Sequence, residues 1–198
     1  SAQNSTETSD SSAQSSDQKT ANEDGVTDEV YTVYVSGIDT RGAMTSSSRS
    51  DVNIILTINA RTKQILMIST PRDYFVPLSI SNGVPDKLTH AGIYGVNVSM
   101  DTLDMLYDIN INYYFRLNFG GFIKIIDALG GITINSDYDF DSQNETGYHF
   151  NKGENHVNGE QALVFSRERY AFKEGDRQRG RNQMAVIQGV VDIVTQPS

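Results

Sequence analysis

The sequence predicts an α/β fold, a three-layer sandwich in which a central mixed β-sheet is flanked by helices. Three observations carry that expectation. Runs of β-branched and aromatic residues with two-residue alternation exchange along the chain with segments of helical period. The 198 residues are 37% apolar, which suffices for one core once a polar N-terminal stretch is set aside. Cysteine is absent, so neither a disulfide framework nor a thiolate metal site holds the chain together. No apolar run is long enough to cross a bilayer and no signal-peptide pattern is present.

Residues 1–29 are rich in Ser, Thr, Gln and Asn, and three alanines and Val26 are their only apolar side chains. That is too little burial to offset the entropy of ordering a backbone, so the segment is expected to be a disordered, acidic linker. Its seven acids against Lys19 supply -6 of the formal charge of -9, which leaves the expected folded domain, 30–198, at -3. A spacer of this kind suits a domain held away from a membrane or another domain.

Residues 30–36 alternate and read as a strand, which delivers Asp39 and Arg41 onto a loop opened by Gly37. Asp51 is followed at once by an apolar strand over 52–58. A turn at 59–63 and a second strand at 64–69 complete a hairpin. Pro71 stops the ladder and sets Arg72 just past the strand end. Three strand ends thus present Asp39, Arg41, Arg49, Asp51 and Arg72. Further on, helical spacing covers 99–109, with Asp101 and Asp104 suited to its first turns. A strand is expected at 111–117, a helix at 119–129 closed by Gly130-Gly131, and a short strand at 132–135. Asn158 is a natural cap for a helix running into Arg167.

The final helix, from about Asp176, aligns Asp176, Arg179 and Gln183 with Ile187, Val190 and Val194 on one face. If that stripe is buried, an arginine and a glutamine enter the protein from its core side and require a partner or a ligand. The opening turn of the helix would itself attract an anion.

Residues 165–183 carry six of the sixteen basic residues within nineteen positions, for a local charge of +3 in an acidic protein. Such a run is ordinarily a solvated helix face. Here it occurs together with arginines at strand ends, which offer bidentate donors to phosphate oxygens. Asp39 and Asp51 could hold a hard divalent ion shared with substrate phosphate. Together these describe a pyrophosphate clamp, and phosphoryl transfer needs little else, since the protein's task there is positioning and charge neutralisation.

Other chemistries fit less well. Asp137, Asp139 and Asp141 alternate, but the EF-hand glycine and terminal glutamate are missing at the required spacing, which disfavours calcium. His90, His149 and His156 are too scattered for zinc. Tyr113, Tyr114, Phe115, Phe119 and Phe122 read as core, although a lipid pocket would use the same residue types. An acidic chain without interleaved aromatic and basic residues gives no support for nucleic-acid binding.

An ordered set of motifs then resembles the LytR-CpsA-Psr family. They are Gly37-Ile38-Asp39-Thr40-Arg41, Arg49-Ser50-Asp51 before a strand, Ser69-Thr70-Pro71-Arg72-Asp73, Asn158-Gly159-Glu160-Gln161-Ala162-Leu163, and Arg167-x-Arg169 followed by Asp176, Arg179 and Gln183. The nearest look is to capsule-attachment members of streptococcus-like Gram-positive bacteria. The resemblance implies a membrane-anchored, extracytoplasmic phosphotransferase. Such an enzyme moves a glycopolymer, capsular polysaccharide or teichoic acid, from a polyprenyl-pyrophosphate carrier to peptidoglycan and releases polyprenyl phosphate. It implies Asp39 and Asp51 as ligands of magnesium, or of manganese in its place. Arg49, Arg72, Arg167, Arg169 and Arg179 would bind pyrophosphate, with Gln183 beside them and Arg41 as an auxiliary contact. Asp176, Arg167 and Arg169 would be catalytic, Asp176 as a base or as the holder of an arginine. A hydrophobic tunnel for the polyprenyl chain would run between sheet and helices, with the last helix as one wall. Family domains extend beyond the helix that precedes Ser198 and carry a membrane anchor that these residues lack, so a C-terminally shortened domain is expected. The alternatives are a pyrophosphatase that uses water as acceptor, and a non-catalytic module that binds anionic lipid or wall polymer.

Overall fold

The structure, a computed structural model, describes residues 30–39 and 48–195. The elements in order are β1 (Val30–Ile38), β2 (Val52–Asn59), β3 (Gln64–Ser69), β4 (Phe75–Pro77), β5 (Pro85–Lys87), α1 (Leu88–Ala91), α2 (Val96–Tyr107), β6 (Tyr113–Asn118), α3 (Phe119–Ala128), β7 (Ile132–Ser136), β8 (Phe140–Asp141), β9 (His149–Phe150), β10 (Gly153–Val157), α4 (Gly159–Arg167) and α5 (Asp176–Val194). The linker expected over 1–29, Arg41 and the last three residues lie outside the described residues.

The main sheet has the order β3-β2-β1-β6. β1 pairs with β2 and β2 with β3 antiparallel, whereas β1 and β6 are parallel, so the sheet is mixed as predicted. Its two faces do different work. Tyr34 and Ile55 point to one side and pack with Leu88, Leu103 and Ile111 around α1 and α2. Val35, Ile54 and Leu56 point to the other. Beyond them a second core gathers Ile126, Ile132, Ile134, Phe140, Phe150, Phe165 and Val186 from α3, α4, α5 and the small strands. Each such side chain contributes roughly 1.5–3 kcal/mol on burial. The aromatic members hold one another tightly, with ring centroids of Phe140 and Phe172 4.7 Å apart.

Local rules explain the helix ends near the site. Asn118 caps α3 by accepting from the Gly121 N–H at 2.8 Å. Asn158 and Gln161 close a reciprocal capping box on α4. α5 rides directly on β7 because residue 189 is glycine: a Cβ there would lie 2.6 Å from the Thr133 carbonyl oxygen.

Three expectations change. α2 begins at Val96, three residues before the predicted start, because Gly95 at φ 112° turns the chain into the helix. Asp104 therefore falls in its later half, where it accepts the Ile111 N–H at 2.9 Å. Tyr113, Tyr114 and Phe115 are 50–61% exposed rather than core, since β6 is an edge strand. The face of α5 that is fully buried is Gln178, Asn182, Val186 and Gly189, not the stripe through Ile187, Val190 and Val194. Gln178 donates to Asp137 and Asn182, and Asn182 donates to the Phe165 carbonyl, so these amides are buried with partners.

Candidate active site

The register of the sheet brings three strand ends together. Gly37 lies opposite Val52 and Ile54 opposite Ser69, so Asp39 leaves β1, Asp51 enters β2 and Arg72 follows β3 at one edge of the sheet. β6 runs parallel to β1 and ends at the same edge, where α3 starts. Arg167, the last residue of α4, stacks over Phe119, the first of α3, with its guanidinium carbon 4.5 Å from the ring centre.

Between the sheet and the helices lies a cavity of about 750 Å³. Its wall is apolar: Val35, Ile54 and Leu56 from the sheet, Phe119, Phe122, Ile125 and Ile126 from α3, Leu163 from α4, and Val186, Ile187, Val190, Val191 and Val194 from α5. Its polar end is formed by Asp39, Asp51, Arg72, Asn118, Asn144, Ser166, Arg167, Arg169, Tyr170, Arg179 and Gln183. Protein interiors are packed nearly as densely as organic crystals, with few voids larger than a water. A hollow of this size has the dimensions of a ligand pocket.

The charged groups at the mouth are paired with one another. One Asp51 oxygen meets the Arg72 guanidinium, and the other accepts the Asp39 backbone N–H at 2.9 Å. Arg167 lies 3.0 Å from Glu145 and 3.8 Å from Asp39. Asp176, in the first turn of α5, forms ion pairs with Arg179 at 3.2 Å and with Arg169 at 3.5 Å. Arg169 also lies over the Tyr170 ring and donates to its hydroxyl at 2.8 Å, which together with Asp176 raises its pKa further. Gln183 donates to the Ser166 carbonyl at 3.4 Å. Asp73 is held below the usual carboxylate range, first by its hydrogen bond to Lys87 and then by the charges of Lys87, Arg72 and Arg179. Each guanidinium has five N–H donors, so these pairings leave donors to spare for a phosphate.

Of the residues singled out in the sequence, Asp39, Asp51, Arg72, Arg167, Arg169, Arg179 and Gln183 thus meet at one end of the cavity. Asp176 stands behind two of the arginines, outside the lining. Arg49 is exposed and is not in the lining either. Asp137, Asp139 and Asp141 diverge, the first toward Gln178 and the others toward His149. Six contributors escape sequence reasoning: Asn118, Asn144, Glu145, Ser166 and Tyr170 at the mouth, and Glu168 beneath it. Nothing in their residue types marks them; Ser166, Glu168 and Tyr170 only stand beside the paired arginines.

Comparison with known proteins bears on the family and the fold. The LytR_cpsA_psr family model matches residues 1–198. A polyisoprenyl-teichoic acid–peptidoglycan teichoic acid transferase, TagU, from Enterococcus faecalis (strain V583) is 38% identical over 168 residues, covering 84% of this chain and 54% of the relative. The chain spans about half the length of the curated relatives it matches. The crystal structure of B. subtilis TagV superposes with a TM-score of 0.76 at 30% identity, covering 87% of this chain and 68% of that one. The LytR-CPS2A-psr family protein YwtF (TagT), solved with bound octaprenyl pyrophosphate lipid, gives a TM-score of 0.66 at 27% identity over 85% of this chain and 66% of that one. Sheet register, cationic mouth, apolar cavity and whole-length match lead to one assignment: the chain belongs to the LytR-CpsA-Psr family.

Proposed function

We propose that this chain carries the catalytic domain of a phosphotransferase that moves a glycopolymer, teichoic acid or a similar wall polymer, from a polyprenyl-pyrophosphate carrier to peptidoglycan. The observation that carries the reading is the continuity of an arginine-rich mouth with an apolar cavity, a shape matched to a ligand with a pyrophosphate head and a hydrocarbon tail. The octaprenyl pyrophosphate lipid bound to TagT has that form.

In the proposed reaction an acceptor hydroxyl oxygen bonds to the phosphorus that bears the glycan. The bridging P–O bond breaks, polyprenyl phosphate departs with the electron pair, and the hydroxyl proton passes to water. Arg72, Arg167, Arg169 and Arg179 bind the pyrophosphate oxygens and stabilise the charge that moves onto the leaving phosphate. Gln183 supports them from the α5 face. Asp176, bridging Arg169 and Arg179, holds the arginines.

Asp39 and Asp51 would hold a magnesium ion. Magnesium commonly takes one or two carboxylates and completes its shell with water and phosphate oxygens. Two carboxylates held together through the Asp39 N–H fit that preference, and among the described residues no cluster of three acidic or histidine side chains offers a closed cage. When bound, the ion would neutralise charge on the pyrophosphate. The same reading sets the work at the extracytoplasmic face of a Gram-positive cell, where carrier lipid and peptidoglycan meet.

The test is product analysis with a donor labelled in its glycan, with and without peptidoglycan. Label entering peptidoglycan with matching release of polyprenyl phosphate is the expected result. Equal release without acceptor would make the protein a pyrophosphatase, and intact donor bound tightly would make it a binding module.

A further inference from the structure

Among the described residues Glu168 is the one charged residue that is fully buried, at 0% exposure. It follows the last residue of α4, where the chain turns from helix to an extended conformation. Glu168 is turned inward, while the arginines on either side of it, Arg167 and Arg169, reach the mouth of the cavity.

The carboxylate is saturated with donors. One oxygen accepts from the Ser142 hydroxyl at 2.7 Å, the Gln143 N–H at 2.7 Å and the Asn144 N–H at 3.0 Å. The other accepts from the N–H groups of Arg169, Tyr170 and Ala171 at 2.9, 2.8 and 3.1 Å. Burial opposes ionisation of this carboxyl, but the bonds from Asn144, Ser142, Ala171 and Gln143 outweigh it and hold the pKa down to about 2. An ionised group without such partners would be expensive to bury.

The segments it joins all carry mouth groups. The 142–145 loop supplies Asn144, which donates to the Arg167 carbonyl at 2.6 Å, and Glu145, which pairs with the Arg167 guanidinium at 3.0 Å. The 169–171 segment supplies Arg169 and Tyr170. We propose that Glu168 is the positioning residue of the anion site, a buried carboxylate that ties the 142–145 loop to the 169–171 segment and so fixes Arg167 and Arg169 as a pair. The inference rests on the reading of the mouth as a pyrophosphate site, but its mechanical part stands apart from that reading.

The experiment compares the 198-residue chain with Glu168→Gln and with Leu103→Ala, a cavity variant in the core on the far side of the sheet. Amide hydrogen exchange and binding of inorganic pyrophosphate are measured well below each melting temperature. Glu168→Gln places an N–H₂ among donors whichever way its amide is turned, against three N–H groups or against two N–H groups and the Ser142 hydroxyl. Exchange at residues 143–144 and 169–171 should accelerate at least about tenfold while 162–165 in α4 stay protected. Pyrophosphate affinity should fall about tenfold or more. Leu103→Ala should lower the melting temperature and leave both readings unchanged. Pyrophosphate affinity of Glu168→Gln within twofold of the parent, or unchanged local exchange, would overturn the proposal. Should Glu168→Gln not fold, Ser142→Ala removes one donor and keeps the charge. It should give the same local loosening with weaker binding, and parent-like values there would also overturn the proposal. If the parent chain itself does not bind pyrophosphate, the reading of the mouth fails, and the exchange contrast still decides whether Glu168 ties the two segments.

Discussion

Asp51 joins two strand ends at once: one carboxylate oxygen meets the Arg72 guanidinium past β3, and the other accepts the Asp39 N–H past β1 at 2.9 Å. This arrangement makes Asp51 the link between the proposed metal ligands and the proposed phosphate clamp. Arg72→Ala should lower kcat/KM for glycopolymer transfer by about 10²–10³-fold, the usual loss when one preorganised donor to developing charge is removed. Arg72→Lys should recover little, since a lysine cannot reproduce the planar fork. Steady-state kinetics of both variants with a labelled donor would check this, and near-parental rates for Arg72→Ala would remove Arg72 from the clamp.

Metal removal tests the other side of that link. Chelation should abolish transfer, and added magnesium should restore it. Asp39→Ala should raise the magnesium concentration needed for half-maximal rate by at least about tenfold, because one of two carboxylate ligands is lost. A magnesium titration of parent and variant gives the answer. Full activity in the presence of chelator would dismiss the metal.

The cavity and the mouth should be separable by substitution. Val190 lines the cavity and is only partly buried, so Val190→Trp can fill the space without displacing packed core. Binding of a polyprenyl pyrophosphate should weaken about tenfold or more, while inorganic pyrophosphate binds as before. Calorimetric titration with both ligands distinguishes this from a general loss of fold.

Gly189→Ala, one position away, should behave differently. Its added methyl would meet the Thr133 carbonyl at 2.6 Å, where α5 rests on β7. Overpacking of that kind costs about 1–3 kcal/mol. A clear drop in Tm by circular dichroism is expected, and an unchanged Tm would mean that the two elements can separate freely.

Glu168 sets an acid limit. Its folded pKa of about 2 lies below its ordinary value of 4.5, so its contribution to stability is complete above pH 4.5 and is lost as pH falls through 2. Melting curves from pH 6 to pH 2 should therefore show an acid limb in the parent that is shallower in Glu168→Gln. Parallel limbs would show that Glu168 is not the group responsible.

Much of this site is legible in the residues. Strands that end in Asp39, Asp51 and Arg72, and a helix that aligns Arg179 and Gln183 with apolar positions, already describe one charged edge and one greasy wall. From periodicity alone that wall reads as core, because period 3.6 shows which residues share a face but not whether a hollow lies in front of it; the family resemblance is what marks the last helix as a tunnel wall. The true core face of α5 is hidden because Gln178 and Asn182 look like surface residues until their partners in Asp137 and Phe165 are in place. Glu168 is hidden for a similar reason. Between two arginines a glutamate reads as a solvated ion pair, and only the distant 142–144 loop turns it into a buried anchor. Tyr113, Tyr114 and Phe115 read as interior because alternation does not reveal which strand stands at the edge of a sheet.

The central claim is that one ligand occupies both the arginine mouth and the apolar cavity. Its most direct test is calorimetric binding of a polyprenyl pyrophosphate beside inorganic pyrophosphate and the corresponding polyprenol. The intact lipid should bind at least about 100-fold more tightly than either part, because the two halves of the site act on one linked molecule. Equal affinity for the lipid and for inorganic pyrophosphate would contradict the claim.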